Sequence, residues 1–493
     1  GKAVATLPVL PTFQNKTFEI SPYLPISRLA YHEFYLDVSR VPELGECPPA
    51  QALMASPEFQ EELTALRGSP LVNYPGQMAL KRRVLEELSR SFFSAPSGRL
   101  EDLRRFTETN PVIEDYACFR AALEKQHLPW QDWPLPLREG ILRDSDYRQE
   151  NKHYHLYAQW LAHQQLDGVK EKAEGKGVKL YMDMPMGVHP DSYDTWRERE
   201  AFITGISVGA PPDTVFTRGQ NWGFPPLHPK NIREQGYRYF IASLRHHLKH
   251  ADIIRIDHVM GLHRIFCIPE GLESSQGVYL RYRADELYAI LALESQRNKA
   301  VIVGEDLGTV PRYVRPAMKQ HGINRMYVLH YEMAADSEKE PLPVPPDSVA
   351  SLNTHDMPPF TAFWQGLDIT ERRQLGLLDR ENARKEKKAR RNMVAALGNF
   401  LRRKGWLEET GTGIEAGSAL RACLEFLTSS PASLVLVNLE DLWQETEPQN
   451  VPSTREEYPN WQRKAKYNFE EFCQLPTVLD TLRTINKLRN RKR

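Results

Sequence analysis

Seven short apolar runs punctuate the chain, at 4–10, 179–186, 251–257, 300–306, 324–331, 348–356 and 433–441. Each is short and rich in β-branched or large apolar residues, which predicts a strand. From 179 onward most of the gaps between runs are long enough for a helix. Residues 235–250 and 277–298 carry the amphipathic helical pattern. Strand, crossover helix, strand predicts a parallel sheet. Residues 40–175 read differently: 58–68, 77–93, 100–109, 112–126 and 154–173 have helical periodicity, with only FYLDV (34–38) before them. The expected organisation is therefore a barrel start at 1–39 and a mostly helical insertion at 40–175. Barrel core at 176–366, a second helical insertion at 367–430, and a last strand with a C-terminal helix at 431–493 complete it.

Most of the runs from 179 onward end in charge. Asp183, Asp257, Glu305–Asp306, Glu332, His355–Asp356 and Glu440–Asp441 lie at or just past the carboxyl ends. A (β/α)8 barrel builds its active site on that face from several strands, whereas a doubly wound sheet uses one crevice. Charges on nearly every strand predict the TIM barrel, here with helical insertions. No G-x-G-x-x-G or P-loop follows a strand, which argues against dinucleotide and ATP chemistry. Seven strands rather than eight lead to the expectation that the first strand and helix precede Gly1.

Composition narrows the partners. Lys plus Arg and Asp plus Glu number 64 each, so no global field draws nucleic acid or a membrane. RKEKKARR (384–391) reads as a solvated helix face and KLRNRKR (487–493) as a frayed helix end. Five scattered cysteines without a C-x-x-C pair predict a reducing, cytoplasmic setting rather than disulfides or zinc. No apolar run reaches the ~18 residues that a membrane span needs.

The stretch ADIIRIDHVMGLHR (251–264) concentrates the chemistry. Side chains alternate along a strand, so Arg255 and Asp257 share one face and Ile254 and Ile256 the other. Burying a charged pair is costly unless the partners meet. A guanidinium two residues from Asp257 favours its carboxylate form. In AVIVGEDLG (300–308) the same parity turns Glu305 inward, behind a glycine that leaves room for a ligand. Asp356, in SLNTHDMPP, is a third acid. Consecutive acids lie roughly fifty residues apart, about one strand–helix unit each. Three convergent carboxylates suit glycosidic bond chemistry, in which one attacks the anomeric carbon and another protonates the leaving oxygen. A Mg²⁺ or Ca²⁺ site is the rival use of acids, but phosphate-handling loops are absent.

SPYLPISR (21–28), DMPMGV (183–188), GAPPDTVFTRGQNWGFPP (209–226), RIDH (255–258), GEDLG (304–308) and NTHD (353–356), six segments in the family's order, resemble the 4-α-glucanotransferases, or amylomaltases, of the α-amylase clan. The resemblance is strong over 179–360 and loose over most of the chain. It implies a retaining transfer between α-1,4-glucans and malto-oligosaccharides, with no metal or organic cofactor. Asp257 is then the nucleophile, Glu305 the general acid/base and Asp356 the transition-state stabiliser, with the catalytic carboxyls about 5–5.5 Å apart. Arg255 orients Asp257. His258 and His355 bond sugar hydroxyls, Tyr23 and Asp183 line the donor subsite, and Asn221 and Trp222 touch glucan from a mobile loop. A glucan hydrolase with the same residues, and a glucan-binding protein without activity, remain alternatives. Trp130 and Trp133, in LPWQDWPLP, read as exposed, with packing and glucan contact both open.

Overall fold

A computed structural model describes residues 1–14, 20–212, 218–333, 340–408 and 413–491. Its strands are β1 (Ala3–Ala5), β2 (Lys179–Met184), β3 (Ile206–Ala210), β4 (Gln220–Asn221), β5 (Ile253–Ile256), β6 (Arg264–Pro269), β7 (Val278–Arg281), β8 (Val301–Gly304), β9 (Asn324–Val328), β10 (Ser348–Ser351) and β11 (Leu434–Val435). Seven of them form one sheet in the order β1-β2-β5-β8-β9-β10-β11, with parallel pairing of β1 with β2, β2 with β5, β8 with β9, β9 with β10 and β10 with β11. These are the seven apolar runs, and their order in the sheet is their order in the chain. Such sequential winding is that of a β/α-barrel sheet; a doubly wound sheet reverses at a switch point.

The chain forms two compact units, Lys2–Ile302 and Val303–Arg493, Gly1 grouping with the second. In the first, Ala3 registers with Lys179, and Asp183 of β2 with Arg255 of β5. Val301 N–H donates to Asp252 O at 2.9 Å, so β8 enters beside β5. From Pro48 to Gly175 the chain is mostly helical. Pro57–Gly68, Tyr74–Ser94 and Gly98–Thr109 are capped by the side chains of Ser56, Asn73 and Ser97. Each cap satisfies a backbone N–H that the first turn leaves over. Leu80, Val84 and Leu88 recur every fourth residue and pack in one core with Tyr157, Trp160 and Leu161 of the long helix Gln149–Gly175. FYLDV is not a strand: Glu33–Tyr35 and Val38–Arg40 are 3-10 turns, the second capped by Asp37.

A second, antiparallel sheet, in the order β4-β3-β6-β7, has no counterpart in the reading of the sequence. It takes Val278–Arg281 from a segment whose pattern reads as helix; the helix begins only at Ala284. Much of the expected loop 209–226 lies at its edge, where Gly209 pairs with Asn221. A Cβ on Gly209 would stand 2.1 Å from the carbonyl oxygen of Gln220, so only glycine lets β4 approach. Residues 213–217 of that loop lie outside the described residues. Trp130 and Trp133 are buried, not exposed. Their indole N–H groups bond Pro190 O (3.3 Å) and Leu128 O (2.9 Å), and the Trp133 ring packs on Phe119 and Trp196. Proline keeps this segment irregular but does not keep its large rings in water.

In the second unit Gly304 registers with Arg325 of β9, Ser348 of β10 with Arg325, and Val349 with Leu434 of β11. Leu352, Phe360, Phe400, Leu401, Leu424 and Leu427 share its core, which the helices Phe360–Gln365, Arg380–Arg403 and Ala416–Thr428 close. The basic run 384–391 lies along the second of these, mostly exposed. Among the described residues no helix is long and apolar enough to cross a membrane, and all five cysteines are free thiols.

Candidate active site

In the unit Lys2–Ile302 the charges of β2 and β5 meet. The Arg255 guanidinium donates to both Asp183 carboxylate oxygens, each at 2.8 Å. The same Nη1 lies 3.0 Å from Oδ1 of Asp257. The Tyr23 hydroxyl donates to Asp183 Oδ2 at 2.7 Å. Parallel register is what makes this possible: Asp183 and Arg255 are cross-strand partners, and Asp257 is two residues further on the Arg255 face. Asp257 N–H donates to Met184 O at 3.2 Å, which anchors its backbone just past the strand end. Arg255 and Asp183 side chains are 7% and 5% exposed, against 24% for Asp257. The two inner groups therefore neutralise one another while the third reaches solvent.

His258 follows in the left-handed region, at φ 47°. A non-glycine residue pays about 1–2 kcal/mol there, and the turn aims the ring at Trp222, edge to face at 5.3 Å between centroids. Burial, and next the charge of Arg255, lower the imidazole to about 4, so it is neutral near pH 7. Trp222 is held by its N–H to Val208 O (2.9 Å) and its indole N–H to Gln220 Oε1 (3.0 Å). Asn221 Oδ1 accepts from Ser207 Oγ (2.7 Å) and Gly223 N–H (2.9 Å). The missed antiparallel sheet is thus what carries Asn221 and Trp222. A cavity of about 70 Å³, with Met184, Met186, Phe224 and Tyr282 among its walls, also has Asp257 and His258 in its lining. Also in its lining, the buried Arg28 donates to Met186 O at 3.0 Å, and its N–H bonds Asp194, which also accepts from Ser27 and Tyr239.

In the unit Val303–Arg493 the structure separates the two acids of GEDLG. Asp306 is fully buried and accepts from Arg315 Nε (2.7 Å) and Met326 N–H (2.8 Å), with Arg325 at 3.4 Å. It ties β8 to β9. Glu305, on the opposite parity, is 9% exposed, and its Oε1 accepts from Leu307 N–H at 2.7 Å. Asp356 lies past β10, half-exposed, with Asn450 Nδ2 donating to it at 2.7 Å and His355 Nε2 3.2 Å away. The His355 ring lies 5.9 Å from that of Trp461, which is itself left-handed at φ 63°. Asn353, opening the NTHD motif, donates to Asp441 at 3.0 Å, and Asp441 also accepts from Phe360 N–H at 2.7 Å. Burial raises Asp441 to about 7, despite those bonds. Asn450, Trp461 and Asp441 all come from the segment after β11, whose sequence carries no periodic signal linking it to NTHD.

A sequentially wound parallel sheet, with helices between its strands and acids past its third, fourth and sixth strands, places the chain in the α/β class. The chain belongs to the 4-alpha-glucanotransferase family, glycoside hydrolase 77, whose model matches residues 1–469. It is 34% identical over 470 residues to the 4-alpha-glucanotransferase of Mycobacterium tuberculosis, covering 93% of this chain and 64% of that protein. The Haemophilus influenzae 4-alpha-glucanotransferase is 31% identical over 474 residues, 90% of this chain and 67% of that one. The chain thus spans just under two thirds of its mycobacterial relative. Among solved structures, amylomaltase from Corynebacterium glutamicum superposes with a TM-score of 0.83 at 26% identity, covering 98% of this chain and 70% of that one. Amylomaltase from Streptococcus agalactiae in complex with acarbose shares the fold, with a TM-score of 0.78 at 21% identity over 99% and 91% of the two chains.

Proposed function

We propose that this chain transfers segments of α-1,4-glucan between malto-oligosaccharides by a retaining double displacement. Asp257 attacks C1 of the donor glucose while Glu305 protonates the departing oxygen, leaving a covalent glucosyl–enzyme. Glu305, now ionised, takes the proton from the 4-hydroxyl of an acceptor sugar as the new bond forms with retention. Positive charge develops on the ring between the two steps, and Asp257 and Asp356 stabilise it. His258 and His355 bond sugar hydroxyls. Tyr23 and Asp183 line the donor side. Asn221 and Trp222 present polar edge and flat ring to the glucan. We place the enzyme in a reducing cytoplasm, in keeping with its five free cysteines.

The observation that carries this reading is the hold of Arg255 on Asp257. A nucleophile must stay ionised and aimed, and a buried guanidinium already balanced by Asp183 does both without withdrawing Asp257 from solvent. Incubation with maltotriose, followed by chain-length analysis, is the test. Glucose plus longer maltodextrins supports transfer. Net hydrolysis to glucose and maltose rejects it in favour of a hydrolase, and unchanged maltotriose rejects catalysis altogether.

A further inference from the structure

The helix Arg380–Arg403 turns one stripe toward a cavity of about 520 Å³ within its own unit. Lys387, Arg391, Ala395 and Arg402 recur at helical spacing along that stripe and line the cavity. Trp364, Leu367 and Thr370 are among the facing residues, and Ile414 closes one side. The closure is built in: a Cβ on Gly398 would stand 2.3 Å from Ile414 Cδ1, so glycine lets that segment rest on the helix. The Trp364 indole N–H secures it through Ile414 O at 3.1 Å.

The charges around this cavity are unbalanced. Arg390 is satisfied, with its guanidinium on both oxygens of Asp368 (2.9 and 3.0 Å) and 3.6 Å above the Phe363 ring. Among the described residues Lys387, Arg391 and Arg402 have no carboxylate partner, and their one side-chain bond is from Arg402 to Asn399 Oδ1 at 3.5 Å. Among the described residues none that lines the cavity is acidic. Three cations thus border one cavity in a chain whose total charge is zero. A solvated helix face would leave such groups spread and independent; here they border one concavity, of a size within the range of about 300–1,000 Å³ typical of small-molecule sites.

We infer that this cavity, whose lining includes none of the acids of the proposed reaction, binds a small phosphate monoester, of monosaccharide to nucleotide size. A dianionic phosphate has three oxygens to share among several cations, and arginine offers paired donors that match it. A carboxylate would leave most of this positive charge uncompensated. Thr370 and the indole wall face the remainder of the molecule.

Calorimetric titration of the whole chain in low salt tests this with glucose 6-phosphate, adenosine monophosphate and inorganic phosphate, and with glucose and adenosine as neutral controls. One or both esters are expected to bind, more tightly than inorganic phosphate, and the tighter ester identifies the source. The double substitution Lys387→Ala with Arg391→Ala is expected to weaken binding at least about tenfold, and 0.3 M salt to weaken it as well. Lys388→Ala, an exposed residue of the same helix outside the cavity lining, is expected to leave it unchanged. Thermal melting establishes that the variants are folded. No binding of either ester at about 10 mM, an affinity no better than that of inorganic phosphate, or full affinity in the double variant overturns the inference.

Discussion

Replacing Arg255 with methionine keeps most of the side-chain volume and removes the charge that Asp183 and Asp257 share. Asp183 is then a carboxylate 5% exposed, with the Tyr23 hydroxyl as its remaining side-chain donor among the described residues. Breaking a buried ion pair from one side costs about 3–5 kcal/mol, because the surviving charge has lost its compensation. That is a large part of the roughly 5–15 kcal/mol that holds a domain together. Spread over a unit of ~300 residues it corresponds to roughly 5–8 °C of melting temperature. Differential scanning calorimetry of Arg255→Met measures it. Adding Asp183→Asn should restore about half of the loss, since an amide carries no stranded charge. Disproportionation of maltotriose should stay lost in both variants, because Asp257 is no longer held. Arg255→Lys should recover stability better than activity, as an ammonium supplies charge without the fork. A loss under about 1 kcal/mol in Arg255→Met, or no recovery on adding Asp183→Asn, would refute the account of Arg255 and Asp183 as a compensated buried pair.

Glu305→Gln should reduce transfer by about 10²–10⁴-fold with little change in melting temperature; Asp257→Asn should lose at least as much and fail to form the covalent glucosyl adduct by intact mass. Acid should destabilise the fold through its buried histidines. His258 and His247 are lowered to about 4 and His330 to about 3, in each case chiefly by burial. The folded state thus binds protons less readily than the unfolded one, and stability present near pH 7 falls as pH drops below about 6.5, by up to ~1.4 kcal/mol per unit for each group. Urea midpoints at pH 7 and pH 5 read this, and equal midpoints would count against it. Leu88→Ala, in the centre of the helical insertion, should cost about 2–5 kcal/mol, whereas the same change at exposed Leu482 should cost under about 0.5 kcal/mol.

What the sequence could determine about this protein is what local patterning controls. Strands of a parallel sheet are covered on both faces, so they appear as compact apolar runs that a reader can count. A period of two then separates Glu305 from Asp306, and puts Arg255 and Asp257 on one side, before any coordinates exist. Family motifs extend that reading to Tyr23, Asp183, His258 and His355. The antiparallel sheet escaped because its strands are short and differently buried. Val278–Arg281 is largely exposed and runs almost directly into a strong helix, so the longer period absorbs the shorter. The tryptophans of LPWQDWPLP escaped because irregular backbone says nothing about where a ring packs. Tertiary structure alone decided the partners at long separation: Tyr23 with Asp183, Trp222 with His258, Asn450 with Asp356, Asn353 with Asp441. Each joins segments with no shared period, and only the register and curl of the folded chain bring them within hydrogen-bond or ring-contact distance.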